Sequence, residues 1–246
     1  FRLITSKMTK KNFKEYLDNI YFNVNNEKFV MDFLKKNIAD LDIMIDLGAS
    51  FGVYTRFFAD DIKCKYIYSF EPDNFRFENL TENIEKWSKK FSTEITAFNK
   101  AAYSSNTIFN FKTNHTNISG KLSDKSSSDT YEVESIVLDE IFSFKNKYIF
   151  IKIDIEGAEY EAVNGMLNLI KNNNVEFLLE VHKWGDPLKN GGFPHQILLK
   201  FIKLGYKAIK IDGRYFLTKN QKINSQKNLK LSYIYEFIKY NIRKHF

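Results

Sequence analysis

The 246-residue chain is 43% hydrophobic and 16% aromatic, with 24 Phe and 14 Tyr, a composition that excludes disorder for the bulk of it. Its length suits one α/β domain with additions, and the single cysteine, Cys64, excludes an internal disulfide framework or a thiolate metal cluster. The formal charge of +7 comes from 37 Lys and Arg scattered along the chain, with no nucleic-acid motif or basic arm, so no nucleic-acid function is expected.

The N-terminal stretch lacks a signal-peptide core, and no run of about 18 uncharged apolar residues occurs, which predicts a cytoplasmic protein. The opening Phe1 suggests that further residues precede it. Apolar side chains at helical spacing (Phe13, Leu17, Ile20, then Phe29, Val30, Phe33, Leu34) predict a helical prelude over 1–40. The main domain, 41–221, follows. Apolar runs at 42–48, 66–72, 94–102, 148–154, 176–182, 206–212 and 215–219 read as strands, with helical patterns at 53–59, 74–89, 158–171 and 194–204. Such alternation predicts a mostly parallel sheet with helices on both faces. Gly213 and Arg214 alone separate the last two strands, which predicts a terminal antiparallel hairpin.

Residues 103–137 break the rhythm. They are rich in Ser, Thr and Asn, with strand-like pieces at 108–112 and 131–138, and read as an inserted hairpin that is either solvated or a lid over a ligand. A C-terminal helical extension spans 222–246. There Leu231, Ile234, Tyr235, Ile238 and Ile242 form one stripe beside Lys239, Arg243 and Lys244, a pattern shared by docking helices and by peripheral membrane contact through 231–246.

The strands stop in a repeated way. The first ends in Asp46, the second in Glu71, the fourth in Asp154 and Glu156, and the fifth in Glu180 and His182. Ligands of open α/β sheets bind outside the carboxyl ends of the strands, so these side chains are expected to share one crevice. In "FIKIDIEGAE", period-two geometry puts Lys152 and Asp154 on one face, as it does Glu180 and His182. Lys152 then either neutralises a buried acid or takes part in the chemistry. The loop "DLGASFGVYT", residues 46–55, follows a strand and opens a helix, so its backbone suits close approach to a ligand. A dinucleotide fingerprint would place glycines where Ser50 and Val53 stand, and an acid ahead of the glycines suits a positively charged cofactor. Glu71 is placed to accept hydrogen bonds from ribose hydroxyls.

The segments "IDLGASFGVYT", "FEPDNFRFENLTENI", "FNKAAYS", "LDEIF", "IKIDIEGAEYEAVNGM" and "FLLEVH", in this order and spacing, resemble the FkbM family of S-adenosylmethionine-dependent methyltransferases over about residues 44–182. The resemblance implies a Rossmann-like class I fold with a seven-stranded sheet whose last strand is inserted antiparallel. It also implies S-adenosylmethionine as cofactor and methyl transfer to a hydroxyl, here most simply of a sugar in a bacterial surface glycan or its precursor. By position it makes Asp46, Gly48, Ala49 and Gly52 the methionine-side loop, with Tyr54 and Thr55 opening the helix beneath. Glu71, followed by Pro72, becomes the ribose acid, and Asn99, Lys100, Ala101 and Ala102 the adenine loop. Asp154 and Glu156 fall where donor and acceptor meet. A nicotinamide-dependent sugar-modifying enzyme and a non-catalytic binding module are the rival readings.

A sugar hydroxyl must lose its proton, and Asp154 and His182 are the candidate bases, Asp154 preferred, with Lys152 beside it. No dedicated metal site is assigned; a divalent ion held by Asp154, Glu156, Glu180 and His182 is the alternative way to acidify the hydroxyl. The stretch 182–196 reads as a loop at the mouth of the crevice, where Trp184 is able to stack on a sugar face.

Overall fold

The structure, a computed structural model, describes residues 25–114, 119–123, 130–182 and 194–223. The first part of the prelude, the loop around Trp184 and the helix expected at 231–246 lie outside the described residues. In chain order the helices are α1 (Asn25–Asn37), α2 (Val53–Asp60), α3 (Asn74–Trp87), α4 (Leu138–Ile141), α5 (Glu159–Asn164), α6 (Leu167–Asn172) and α7 (Pro194–Lys203). The strands are β1 (Ile43–Leu47), β2 (Tyr66–Phe70), β3 (Glu94–Phe98), β4 (Ala101–Ala102), β5 (Ile108–Asn114), β6 (Ser119–Ser123), β7 (Thr130–Ile136), β8 (Tyr148–Ile153), β9 (Asn174–Leu179), β10 (Lys207–Ile211) and β11 (Arg214–Thr218). No helix among the described residues is long and apolar enough to cross a membrane.

Seven strands form one sheet in the order β10-β11-β9-β8-β1-β2-β3. All pairs are parallel except those of β11, which runs antiparallel between β9 and β10. β1 lies inside the sheet between β8 and β2 and is buried along its whole length, which is why it reads as a continuous apolar run broken only by Asp46. Its odd positions, Ile43, Ile45 and Leu47, pack with Ile149, Ile151 and Ile153 against Val163, Ile170, Leu198 and Phe201. Met44, Phe150, Leu178 and Phe216 pack on the other side with Val30 and Leu34 of α1 and with Phe57 and Phe58 of α2. That second core docks α1 beside the first loop of the sheet.

Three elements differ from expectation. The helix expected over 158–171 is two short helices broken at Gly165, where the chain meets the carbonyl of Tyr103 so closely that a Cβ would stand 2.2 Å from its oxygen. The run 94–102 divides into β3 and β4, because β4 leaves the main sheet to pair with β7. Within 103–137 β5 and β7 pair antiparallel, and a further strand, β6, joins β5 to make a sheet of order β4-β7-β5-β6. β6 reads "SGKLS" and has no apolar alternation by which to be recognised.

The reason for the loop glycines also changes. Gly48 has φ +76°, and a Cβ there would stand 1.9 Å from the carbonyl oxygen of Asp154; at Gly52 a Cβ would strike Leu80 and Trp87 of α3 at 2.7–2.9 Å. Both glycines are demanded by the protein's own packing before any ligand is considered. Gly205 has a similar φ of +88° with nothing within 4 Å of a built Cβ, so it isolates the conformational part. Gly205→Ala is expected to cost about 1–2 kcal/mol and Gly48→Ala at least about twice that, by urea denaturation. Equal losses would mean that the ends of β1 and β8 separate without cost.

Candidate active site

The carboxyl ends of β1, β2 and β8 open into a cleft of about 240 Å³, closed on one side by Phe111 and Leu122 of the inserted sheet. Of the residues singled out in the sequence, Gly48, Ala49, Tyr54, Glu71, Pro72, Lys100, Ala101, Lys152, Asp154 and Glu156 line it. Asp46, Gly52, Thr55, Asn99 and His182 do not, and each has a supporting place.

Asp46 is fully buried beneath the loop. Its Oδ2 accepts hydrogen bonds from the Thr55 amide (3.1 Å) and hydroxyl (2.8 Å), which fastens the start of α2 to the end of β1. Burial pushes its pKa up against the pull of Lys152. Asn99 donates to the carbonyls of Glu71 (3.0 Å) and Pro72 (3.2 Å), holding the β3–β4 turn against the end of β2. Glu71 itself is 3% exposed, yet its carboxylate faces the cleft. One oxygen accepts from the Ser50 amide at 2.7 Å and the other from the Asp73 amide at 2.9 Å. Burial nevertheless raises its pKa to about 7, with Arg76 pulling the other way.

At the other end of the cleft the structure gathers the groups that the strand ends bring together. Lys152 Nζ donates to the Gly48 carbonyl at 2.7 Å and lies 3.3 Å from Asp154 and 3.6 Å from Asp46. Burial alone would lower its pKa, but Asp154 and Asp46 outweigh that and raise it, so Lys152 stays charged. Asp154 is pulled the opposite way: burial would raise its pKa, and Lys152 with His182 brings it below the usual carboxylate value. His182 Nε2 lies 3.5 Å from Asp154, 3.6 Å from Glu156 and 3.9 Å from Glu180. Its Nδ1 meets Glu159 at 2.8 Å. Burial opposes the charge on His182, but Glu159 and the other carboxylates prevail and raise its pKa to about 9. The imidazole is therefore protonated at neutral pH.

Glu156 reaches the cleft from a left-handed backbone, φ +53°, a strained conformation for a glutamate and one that recurs at functional sites. Asp154, Glu180 and His182 also offer ligand atoms within 4.8 Å of one another, a donor set able to take a divalent ion. Glu180 Oε2 already accepts from Arg214 Nε at 2.9 Å.

Sequence reasoning left four participants unassigned: Glu159, which orients His182; Ser50, whose amide holds Glu71; and Glu27 with Arg214, which line the cleft together. Glu159 stands in the quoted "IEGAE" three positions after Glu156, and its helix-opening position disguised it. Glu27 and Arg214 are 187 positions apart, and no spacing rule joins them.

Residues 46–208 match the family model of the methyltransferase FkbM domain. Among solved structures, the fold is similar to that of a methyltransferase FkbM from Methylobacillus flagellatus KT, with a TM-score of 0.53 and 18% identity, over 74% of this chain and 44% of that one. The chain thus spans under half the length of that relative. Looser likenesses are to M. capricolum TrmK in complex with S-adenosyl-homocysteine (TM-score 0.41, 13% identity, 83% of this chain and 74% of that one) and to a SAM-dependent methyltransferase from Aquifex aeolicus (0.43, 11%, 86% and 98%). No curated protein matches the sequence.

The raised pKa of Glu71 has a measurable sign. Below about 4.5 the carboxyl is neutral whether the chain is folded or not; between there and about 7 the unfolded chain releases the proton while the folded one keeps it. Stability from the neutral group is therefore lost as pH rises through that window. Wild type is expected to lose about 3 kcal/mol relative to Glu71→Gln between pH 4 and pH 8 in denaturant titrations. A constant difference would show that Glu71 ionises as an exposed carboxylate does.

Proposed function

The chain belongs to the FkbM methyltransferase family, whose cofactor is S-adenosylmethionine, and from that premise we propose that it is an O-methyltransferase acting on a sugar hydroxyl of a surface glycan or glycan precursor. Family membership sets aside the nicotinamide reading. The observation that carries the proposal is the polarity of the cleft, with an acceptor carboxylate, Glu71, at one end and the ion cluster around Asp154 at the other.

The residues fit such a cofactor. Glu71 keeps lone pairs towards the cleft after accepting two backbone amides, as recognition of a vicinal diol requires. Phe70, Phe111 and Leu122 supply apolar wall suited to a flat heterocycle, and Asp154 with Glu156 supplies negative charge suited to a sulfonium. When bound, S-adenosylmethionine supplies an activated methyl group, which leaves the protein to place the acceptor oxygen and take its proton.

Asp154 is the group for that proton. Its low pKa makes it a weak base, but a hydroxyl oxygen that is gaining the methyl group as a third substituent becomes strongly acidic, so a weak base suffices at that moment. His182 is already protonated at neutral pH and serves instead to hold Asp154, while Glu159 holds His182. Lys152 keeps Asp154 ionised and the Gly48 carbonyl in place.

Asp154→Asn is expected to lower turnover by about 10²–10⁴-fold with a much smaller change in affinity for S-adenosylhomocysteine, and wild-type turnover at saturating cofactor, where the titration of free Glu71 does not enter the rate, to be flat between pH 6 and pH 8. A rate that climbs towards pH 9, and loses that climb in His182→Gln, would move the proton to His182. Strong inhibition by a chelator, reversed by a divalent ion, would bring the Asp154, Glu180 and His182 donor set into the reaction. The sugar assignment is tested by incubating the protein with isotopically labelled methyl donor and a panel of nucleotide-activated and polymeric sugars. A mass increment on a sugar hydroxyl is expected; labelling confined to non-sugar hydroxyls offered alongside would overturn it.

A further inference from the structure

Among the described residues, two in the cleft wall come from outside the segment that matches the family: Glu27 of α1 and Arg214 at the start of β11. Arg214 Nη2 donates to Glu27 Oε1 at 2.5 Å, and Tyr54 donates its hydroxyl to the other oxygen of Glu27, also at 2.5 Å. Arg214 Nε is held by Glu180 at 2.9 Å. The side chains of Arg214 and Glu27 are 15% and 20% exposed, so the pair is largely sheltered but open on the cleft side.

We propose that Glu27 and Arg214 form the subsite for the zwitterionic amino-acid end of the methyl donor, the guanidinium taking the carboxylate and the glutamate the ammonium. The inference rests on the cofactor reading above and assigns its remaining end. Glu71 follows β2 and Arg214 opens β11; with β1, β8 and β9 between them, four strand spacings, roughly 19 Å, separate their backbones. If the ribose is at Glu71, the amino acid lies towards β11.

A carboxylate there needs a cation. Lys152 is committed to the Gly48 carbonyl, Asp154 and Asp46, and Lys100 to Glu134, whereas Arg76 stands at the Glu71 end. Arg214 has five donors in a planar fork, of which its bonds to Glu180 and Glu27 use two. A zwitterion set against an existing ion pair adds no net charge to a sheltered site. It exchanges one set of opposite-charge contacts for two, which avoids the cost of burying an unpaired charge.

The test is calorimetric, with three ligands that share the nucleoside: S-adenosylhomocysteine, its decarboxylated amine, and 5′-methylthioadenosine, which lacks the amino acid altogether. Arg214→Gln is expected to weaken S-adenosylhomocysteine about tenfold to a hundredfold while the other two change little. Glu27→Gln is expected to weaken both amine-bearing ligands and to spare 5′-methylthioadenosine. Arg214→Lys, which keeps the charge, and thermal melting of every variant check that the fold is intact. Equal losses for all three ligands would reduce the pair to a tie between α1 and β11 and overturn the proposal. So would unchanged S-adenosylhomocysteine affinity in Arg214→Gln, or wild-type protein that binds 5′-methylthioadenosine as tightly as S-adenosylhomocysteine. Wild-type protein that binds none of the three would overturn the methyl-donor reading and this subsite with it.

Discussion

The buried ammonium of Lys152 is the contact on which both the fold and the site depend. β1 and β8 pair so that Asp46 stands beside Lys152, two charged residues in the most apolar part of the sheet. Neither charge is tolerable alone there, and removing one partner of such a pair typically costs about 3–5 kcal/mol because the other is left uncompensated. Lys152 answers three demands at once. It neutralises the acid that fastens α2, it takes up the Gly48 carbonyl in the loop that crosses Asp154, and it holds Asp154 ionised at the cleft. The lysine has both a structural and a chemical part, and one geometry provides them.

The rest of the cleft repeats the device. Among the described residues four acids and four bases line it, and they are set against each other: Asp154 with Lys152, Glu27 with Arg214, Glu71 near Arg76. A ligand therefore gains little from net charge and much from completing pairs already formed. The overall formal charge of +7 has no counterpart in this site, which is why it is uninformative about the ligand. His182 follows the same logic from behind the wall, since its positive charge is held by Glu159 and shared among Asp154, Glu156 and Glu180.

The inserted sheet closes the cleft from the other side. Phe111 is buried and, with Leu122, faces the crevice, while the Tyr131 hydroxyl accepts the Asn74 amide at 3.1 Å at the start of α3. The polar composition of 103–137 favoured a solvated hairpin over a lid. Only a few apolar residues are needed to form a wall once the strands are paired, and composition does not reveal which way they face.

What the sequence by itself determined was the part governed by local rules. Apolar runs of strand length set between helical patterns required a parallel sheet, the two-residue turn at Gly213 and Arg214 required the hairpin, and acids at successive strand ends had to meet on one edge because parallel strands all end on the same side. Period two carried Lys152, Asp154, Glu180 and His182 into one cluster. The tertiary structure alone decided the rest, because it turns on contacts between segments that no local period relates. The glycine loop is shaped by the Asp154 carbonyl, the helix after β8 breaks against Tyr103, Asp46 supports the loop from beneath it, and Glu27 meets Arg214 only because α1 docks on the same face of the sheet as α2.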